Sequence, residues 1–162
     1  MRTATRSREA FETFEIRKEI EIAAPIEIAW EAALDELGPE GVMPDGRSLQ
    51  LKFEAWPGGR WYRDLGNNSG HLWGHVQVIK PPTLLEICGP LMMSYPAVNF
   101  VQYRLKAEGS GTRLTIYHRA MGLIIPEHLD GMPEGWEHGL QHIREIAERK
   151  ARQRTNPKEV RR

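Results

Sequence analysis

The stretch Gly70–Pro82, GHLWGHVQVIKPP, decides how the rest of the chain is read. His71 and His75 stand four apart around Trp73, a spacing that on a helix would suit a metal ion. Yet Leu72, Val76 and Val78 alternate with His71, Trp73, His75 and Gln77, which is the period of a strand. Side chains four apart on a strand lie roughly 13 Å from one another, at about 3.3 Å per residue. Zinc takes its ligand nitrogens at about 2.1 Å, so one ion cannot bridge this pair. The stretch is a strand and not a local metal site. By strict alternation Trp73 falls on the face opposite Val76 and Val78. It then either stands outside the sheet with His71 and His75, as an interface for a homodimer or partner, or lies under a loop.

Strands and turns extend outward from this point. Phe14, Ile16, Ile20 and Ile22 share one face of a strand whose other face carries Glu15, Arg17, Glu19 and Glu21. Helical spacing follows: Pro25 suits a first turn, and Ile26, Ala29, Trp30, Ala33, Leu34 and Leu37 form an apolar stripe closed by Gly38-Pro39. Residues 39–48 read as loop or short helix. Leu49, Leu51, Phe53 and Ala55 alternate as a strand, PGG turns the chain into RWYRDL, and GNNSG turns it into the opening stretch. After TLLEICGPL, strands over Val98–Ala107 and Thr112–Met121 are joined by EGSG, and a long helix runs from about Pro133 to Arg152. The order β, α, about six strands, α predicts an α+β fold with an antiparallel sheet.

The chain has 162 residues, 40% hydrophobic and 27% charged, which is the composition of one folded domain. We expect an N-terminal arm over 1–13, one domain over 14–152 and a basic tail over 153–162. No run reaches the roughly 18 apolar residues of a membrane helix, and the N-terminus lacks the apolar region of a secretory signal. A lone Cys88 excludes an internal disulfide and a multi-cysteine zinc site, so a cytoplasmic location is expected. Net charge is zero but unevenly placed. Ten of the 22 basic residues, against one of the 22 acids, lie in 1–8 and 149–162, so the body 9–148 keeps 12 bases and 21 acids. An acidic body argues against a nucleic-acid surface. The basic end either suits a helix C-terminus stopped by Pro157 or contacts RNA or an acidic partner.

A second pair, His138 and His142, is one helical turn apart, with Glu145 three residues on. The stripe Trp136, Leu140, Ile143 and Ala147 predicts that these three point to solvent, so no metal is expected there.

These segments together resemble the START-like (SRPBCC) superfamily, and within it the branch of heat-shock-protein-90 ATPase activator homologues. The resemblance is carried by IEIAAPIEIAWEAAL at 20–34, WPGGRWY at 56–62, GHLWGHVQVIKPPTLLEI at 70–87, GTRLTIYH at 111–118 and GWEHGLQHI at 135–143. It implies a helix-grip architecture, a curved antiparallel sheet around a long C-terminal helix with an apolar cavity between them. Fold does not dictate function. The members include ligand carriers, enzymes and chaperone accessories.

Such a cavity would be lined from Leu51, Phe53, Val76, Val78, Val101, Tyr103, Leu105, Leu114, Ile116 and the Trp136/Leu140/Ile143 stripe. The expected ligand-binding residues are Phe53, Trp61, Tyr103, His118, Trp136 and Leu140, for a small apolar or amphipathic molecule. Arg63 shares a face with Trp61 and could hold a carboxylate if that face is inward. His118 is either an acid–base group or a structural histidine bonded to a neighbour such as Tyr103. Met92 and Met93 read as an adaptable loop, either at the cavity mouth or in ordinary packing. No catalytic constellation and no cofactor motif is found. Two further readings are kept: a chaperone-accessory module, for which residues 1–13 are too short to supply the N-terminal region of full activators, and a cavity enzyme using His118.

Overall fold

The structure is a computed structural model that describes residues 4, 5 and 8–155. Strand β1 covers Glu12–Ile22 and helix α1 Ile26–Leu37. Six strands follow: β2 (Leu51–Phe53), β3 (Arg60–Gly66), β4 (Ser69–Lys80), β5 (Leu84–Gly89), β6 (Ala97–Glu108) and β7 (Gly111–Gly122). Helix α2 covers Pro126–Thr155. All pairings are antiparallel, in the order β1-β7-β6-β5-β4-β3-β2. This is the α+β helix-grip arrangement, with both helices on the concave face.

The alternation in β6 and β7 explains that face. Val101, Tyr103 and Leu105 pair in register with His118, Ile116 and Leu114, and all six are buried. Their outward neighbours, such as Arg104 and Thr115, meet water or one another. Ala29, Ala33 and Leu37 of α1 and Leu140, Ile143 and Ala147 of α2 close the core from above. Burying each large aliphatic side chain contributes about 1.5–3 kcal/mol. The hairpin turn Asn67-Asn68 has positive φ at both positions (51° and 57°), which asparagine tolerates better than most residues.

Three local expectations are corrected. The strand expected over 49–55 pairs only at Leu51–Phe53, because PGG and its flanks leave the ladder early. Helix α2 starts at Pro126, not near Pro133. Pro126 takes the first-turn position, Pro133 is accommodated inside the helix, and the added turns bury Met132 against Met93, Ala120 and Ile124. Val78 lies on the outer face, since β4 shifts register between Val76 and Val78, after which Ile79 pairs with buried Leu85.

The start of the basic end belongs to the fold. Arg149 pairs with Glu40 at 3.1 Å, Lys150 with Asp35 at 2.9 Å and Arg154 with Glu31 at 2.6 Å, tying α2 to α1 and the loop after it. Pro157, Lys158, Arg161 and Arg162 lie outside the described residues. No helix among the described residues is long and apolar enough to cross a membrane.

Gly74 and Gly89 face each other across β4 and β5, and a Cβ on Gly89 would sit 2.4 Å from the Gly74 Cα. Gly89→Ala is therefore expected to destabilise the fold by about 1–2 kcal/mol, seen as a lower urea midpoint.

Candidate functional site

A cleft of about 370 Å³ opens between the concave face of the sheet, the end of α1 and the middle of α2. Trp61, Arg63, Trp73, Tyr103, Trp136 and Leu140 line it, with Met92 among the loop residues and Glu36, His138 and Gly139 at the helices. The cleft thus gathers four of the six residues expected to bind a ligand: Trp61, Tyr103, Trp136 and Leu140. Arg63 lies on the inward side, where its Nε donates to the Leu49 carbonyl at 3.0 Å.

Phe53 and His118 are not in the lining. Phe53 packs toward Gly38 and the core, because β2 ends there and turns away. His118 is fully buried behind Trp136. Its Nδ1 accepts from Trp136 Nε1 at 2.9 Å, and an indole N–H can only donate, so Nδ1 is unprotonated. Nε2 then carries the proton and donates to Asn99 Oδ1 at 2.7 Å. The Asn99 amide nitrogen donates in turn to the Gly89 and Pro90 carbonyls, both at 3.2 Å. Burial pushes the imidazole down to about 4, so it is neutral at pH 7. Both nitrogens are engaged, and the partner is Asn99 and not the expected Tyr103. His118 positions Trp136.

Trp73 is also relocated. It is only 7% exposed, inside the cleft and edge-on to Trp61 with ring centroids 5.0 Å apart. The ladder explains why: Trp61 pairs with Gly74 and Tyr62 with Leu72, leaving Trp73 as an extra residue on β4. Such a bulge reverses the face on which the preceding side chains fall. Of the two readings of Trp73, exposed on the outer face or covered, the structure has it covered, and Leu72 takes the outer position. Gly74, in the middle of a strand pattern, was the sequence signal for the bulge.

Hydrogen bonding separates the three cleft tryptophans. Trp61 Nε1 donates to the Leu37 carbonyl at 2.7 Å and Trp136 Nε1 to His118. Trp73 Nε1 is buried without a partner among the described residues, and so is His138 Nε2. His138 is half-buried, contrary to its expected solvent position, and lies at the cleft edge beside Gly135 and Gly139. His142 stacks beside it and Glu145 is exposed; among the described residues no cluster of three or more His, Cys, Asp or Glu could hold a metal.

Glu36 was not foreseen. It follows Ala29 by seven residues and Ala33 by three, so it lies on the apolar stripe of α1 and meets the cleft. Burial pushes its carboxyl up from 4.5 to about 7, and no other cause contributes. The neighbouring Tyr103 phenol is held well above its ordinary range by burial first and by the Glu36 charge second.

A wider depression of about 630 Å³ lies across the outer face of the sheet, along Val98, Phe100, Tyr117, Arg119 and Met121. It contains neither of the buried unpartnered polar atoms, so the inner cleft is the stronger candidate.

No family model and no curated protein matches the chain. Solved structures do. A protein from Rhizobium leguminosarum superposes with a TM-score of 0.68 at 18% identity, over 88% of this chain and 99% of that one. CalU16 from Micromonospora echinospora gives 0.58 at 22% identity, over 86% and 87%. DynU16, from the dynemicin biosynthetic locus, gives 0.60 at 18% identity; the match covers 83% of this chain and 47% of that one. At these identities the likeness is one of fold alone, and the chain has the antiparallel sheet and long C-terminal helix of the helix-grip fold.

Proposed function

We propose that this protein binds a small apolar or amphipathic molecule in the cleft between the sheet and α2. The observation that carries the reading is the Trp73 indole N–H, buried in an aromatic-lined cleft with no acceptor among the described residues. A buried donor left unpaired costs about 1–3 kcal/mol, which an oxygen acceptor on a ligand, or a water, would recover. Ligand sites of about 300–1,000 Å³ are typical, and this cleft falls within that range. Trp61, Tyr103, Trp136 and Leu140 would form the apolar contacts, and Arg63 stands at hand for a polar group.

A chaperone-accessory role, as in the heat-shock-protein-90 activator branch, finds less support. Its aromatic anchor was Trp73 on the outer face, and that side chain is buried. An enzyme working from His118 is likewise less supported, as neither ring nitrogen is free.

The test blocks the cleft from the helix side. A Cβ added at Gly139 meets only the Glu36 carboxyl, at 3.5 Å, and replacing a mid-helix glycine by leucine gains about 0.8 kcal/mol of helix propensity. Gly139→Leu should keep the fold but lose most of the fluorescence enhancement of 1-anilinonaphthalene-8-sulfonate seen with the wild type. It should also lose any small-molecule adduct seen by native mass spectrometry. Full retention of both by the variant would place binding elsewhere and overturn the proposal.

A further inference from the structure

We infer that the cleft takes a ligand with a flat apolar body and one basic nitrogen, whose ammonium form sits against the Glu36 carboxylate. The inference rests on the cleft-binding reading and names the ligand class. It starts from a contrast between carboxylates at one end of the molecule. Glu31, Asp35 and Glu40 each pair with Arg154, Lys150 or Arg149, at 2.6 Å, 2.9 Å and 3.1 Å. Glu36 lies among them in sequence but faces the cleft, and it has no ion pair or hydrogen bond among the described residues.

The groups that face it are few. Tyr103 comes from β6, Arg63 from β3 and His138 from α2, all in the cleft lining; the Asp35–Lys150 and Glu40–Arg149 pairs flank it. None of these cations pairs with the carboxylate: Arg63 Nε donates to the Leu49 carbonyl at 3.0 Å, and Lys150 and Arg149 are taken up by Asp35 and Glu40. A carboxylate in an apolar site without a cation is a costly arrangement, and a ligand ammonium relieves it. The aromatic walls add to this. Tyr103 and Trp136 meet edge to face with centroids 6.1 Å apart, and ring faces within about 6 Å of a cation attract it by about 0.5–2 kcal/mol. An ether or carbonyl oxygen on the same ligand would accept from Trp73 Nε1.

Three probes with one body separate the possibilities: 2-naphthylmethylamine, 2-naphthylmethanol and 2-naphthoate, titrated calorimetrically into the intact chain. The amine is expected to bind at least about tenfold tighter than the alcohol at pH 8. Its affinity should fall about tenfold from pH 8 to pH 6, because Glu36 must give up a proton before it can pair. Glu36→Gln should bring the amine down to the affinity of the alcohol and abolish that pH dependence. Equal binding of amine and alcohol to the wild type, or tightest binding of the carboxylate, would overturn the inference; sensitivity of that binding to Gly139→Leu would leave the cleft reading intact. If none of the three binds, the cleft reading falls with it. The ranking on the wild type decides even if Glu36→Gln does not fold.

Discussion

His118→Leu is expected to destabilise the fold by about 3–4 kcal/mol at pH 7, measured by urea unfolding. The substitution removes one acceptor and one donor from a fully buried network. Trp136 Nε1 loses the Nδ1 that it donates to, and Asn99 Oδ1 loses its donor. Leaving each such group unpaired costs about 1–3 kcal/mol, while the apolar replacement retains much of the packing. The edge contact of Phe14 with the imidazole, at 5.0 Å between centroids, is lost as well. The variant should also change the pH dependence. The folded-state imidazole titrates near 4, below its ordinary 6.5, so folding binds fewer protons than the unfolded chain does. The wild type therefore has this contribution in full above about pH 6.5 and loses it as pH falls toward 4, by up to about 3 kcal/mol. His118→Leu should lack that acid loss. A variant as stable as the wild type at pH 7 would show that the network is not what holds Trp136.

Glu36→Gln should act in the opposite direction. The folded-state carboxyl titrates near 7 against 4.5 in its ordinary state, so the folded chain binds more protons than the unfolded one between these values. Stability from this group is complete below about pH 4.5 and is lost as pH rises through 7. The full displacement corresponds to about 3 kcal/mol, and because Glu36 keeps some contact with water about 2 is expected. Glutamine has the same shape without the charge. The variant should match the wild type at pH 4.5 and exceed it by about 2 kcal/mol at pH 8, read from urea midpoints at the two pH values. An equal difference at both would mean that Glu36 ionises freely in the folded protein. An added amine ligand should narrow the gap at pH 8 by stabilising the wild type more than the variant.

Glu36 and His118 bear on opposite sides of the same pH range. Below about 6.5 the histidine weakens the fold, and above about 4.5 the glutamate does. The single variants separate two slopes that partly cancel in the wild type.

How much of this was legible in the chain varies with the residue. The long strands β6 and β7 were readable to within one residue at each end, since Leu114, Ile116 and His118 alternate without interruption and GS between them turns the chain. Helix α1 was equally readable, from Pro25 to Gly38. Of the cleft lining, Tyr103, Trp136 and Leu140 follow from the inward phase of their elements, whereas the sequence left open which way the shared face of Trp61 and Arg63 points. Glu36 was there to be found on the Ala29–Ala33 stripe, but a glutamate among apolar residues reads as a solvated edge until its surroundings are known.

The amino-acid sequence by itself determined the order of elements, the antiparallel sheet and the face of each regular strand, because local alternation and helical period are set by neighbours along the chain. Tertiary structure alone decided the faces of Trp73 and Val78. A one-residue bulge reverses a face without changing composition, and its position is chosen by what the paired strand and the core will accept. It also decided that His118 serves Trp136 and that Glu36 has no cation among the described residues. Hydrogen-bond partners across β6, β7 and α2, and the ion pairs that take up Asp35 and Glu40 but pass over Glu36, are set by three-dimensional proximity between residues far apart in the chain.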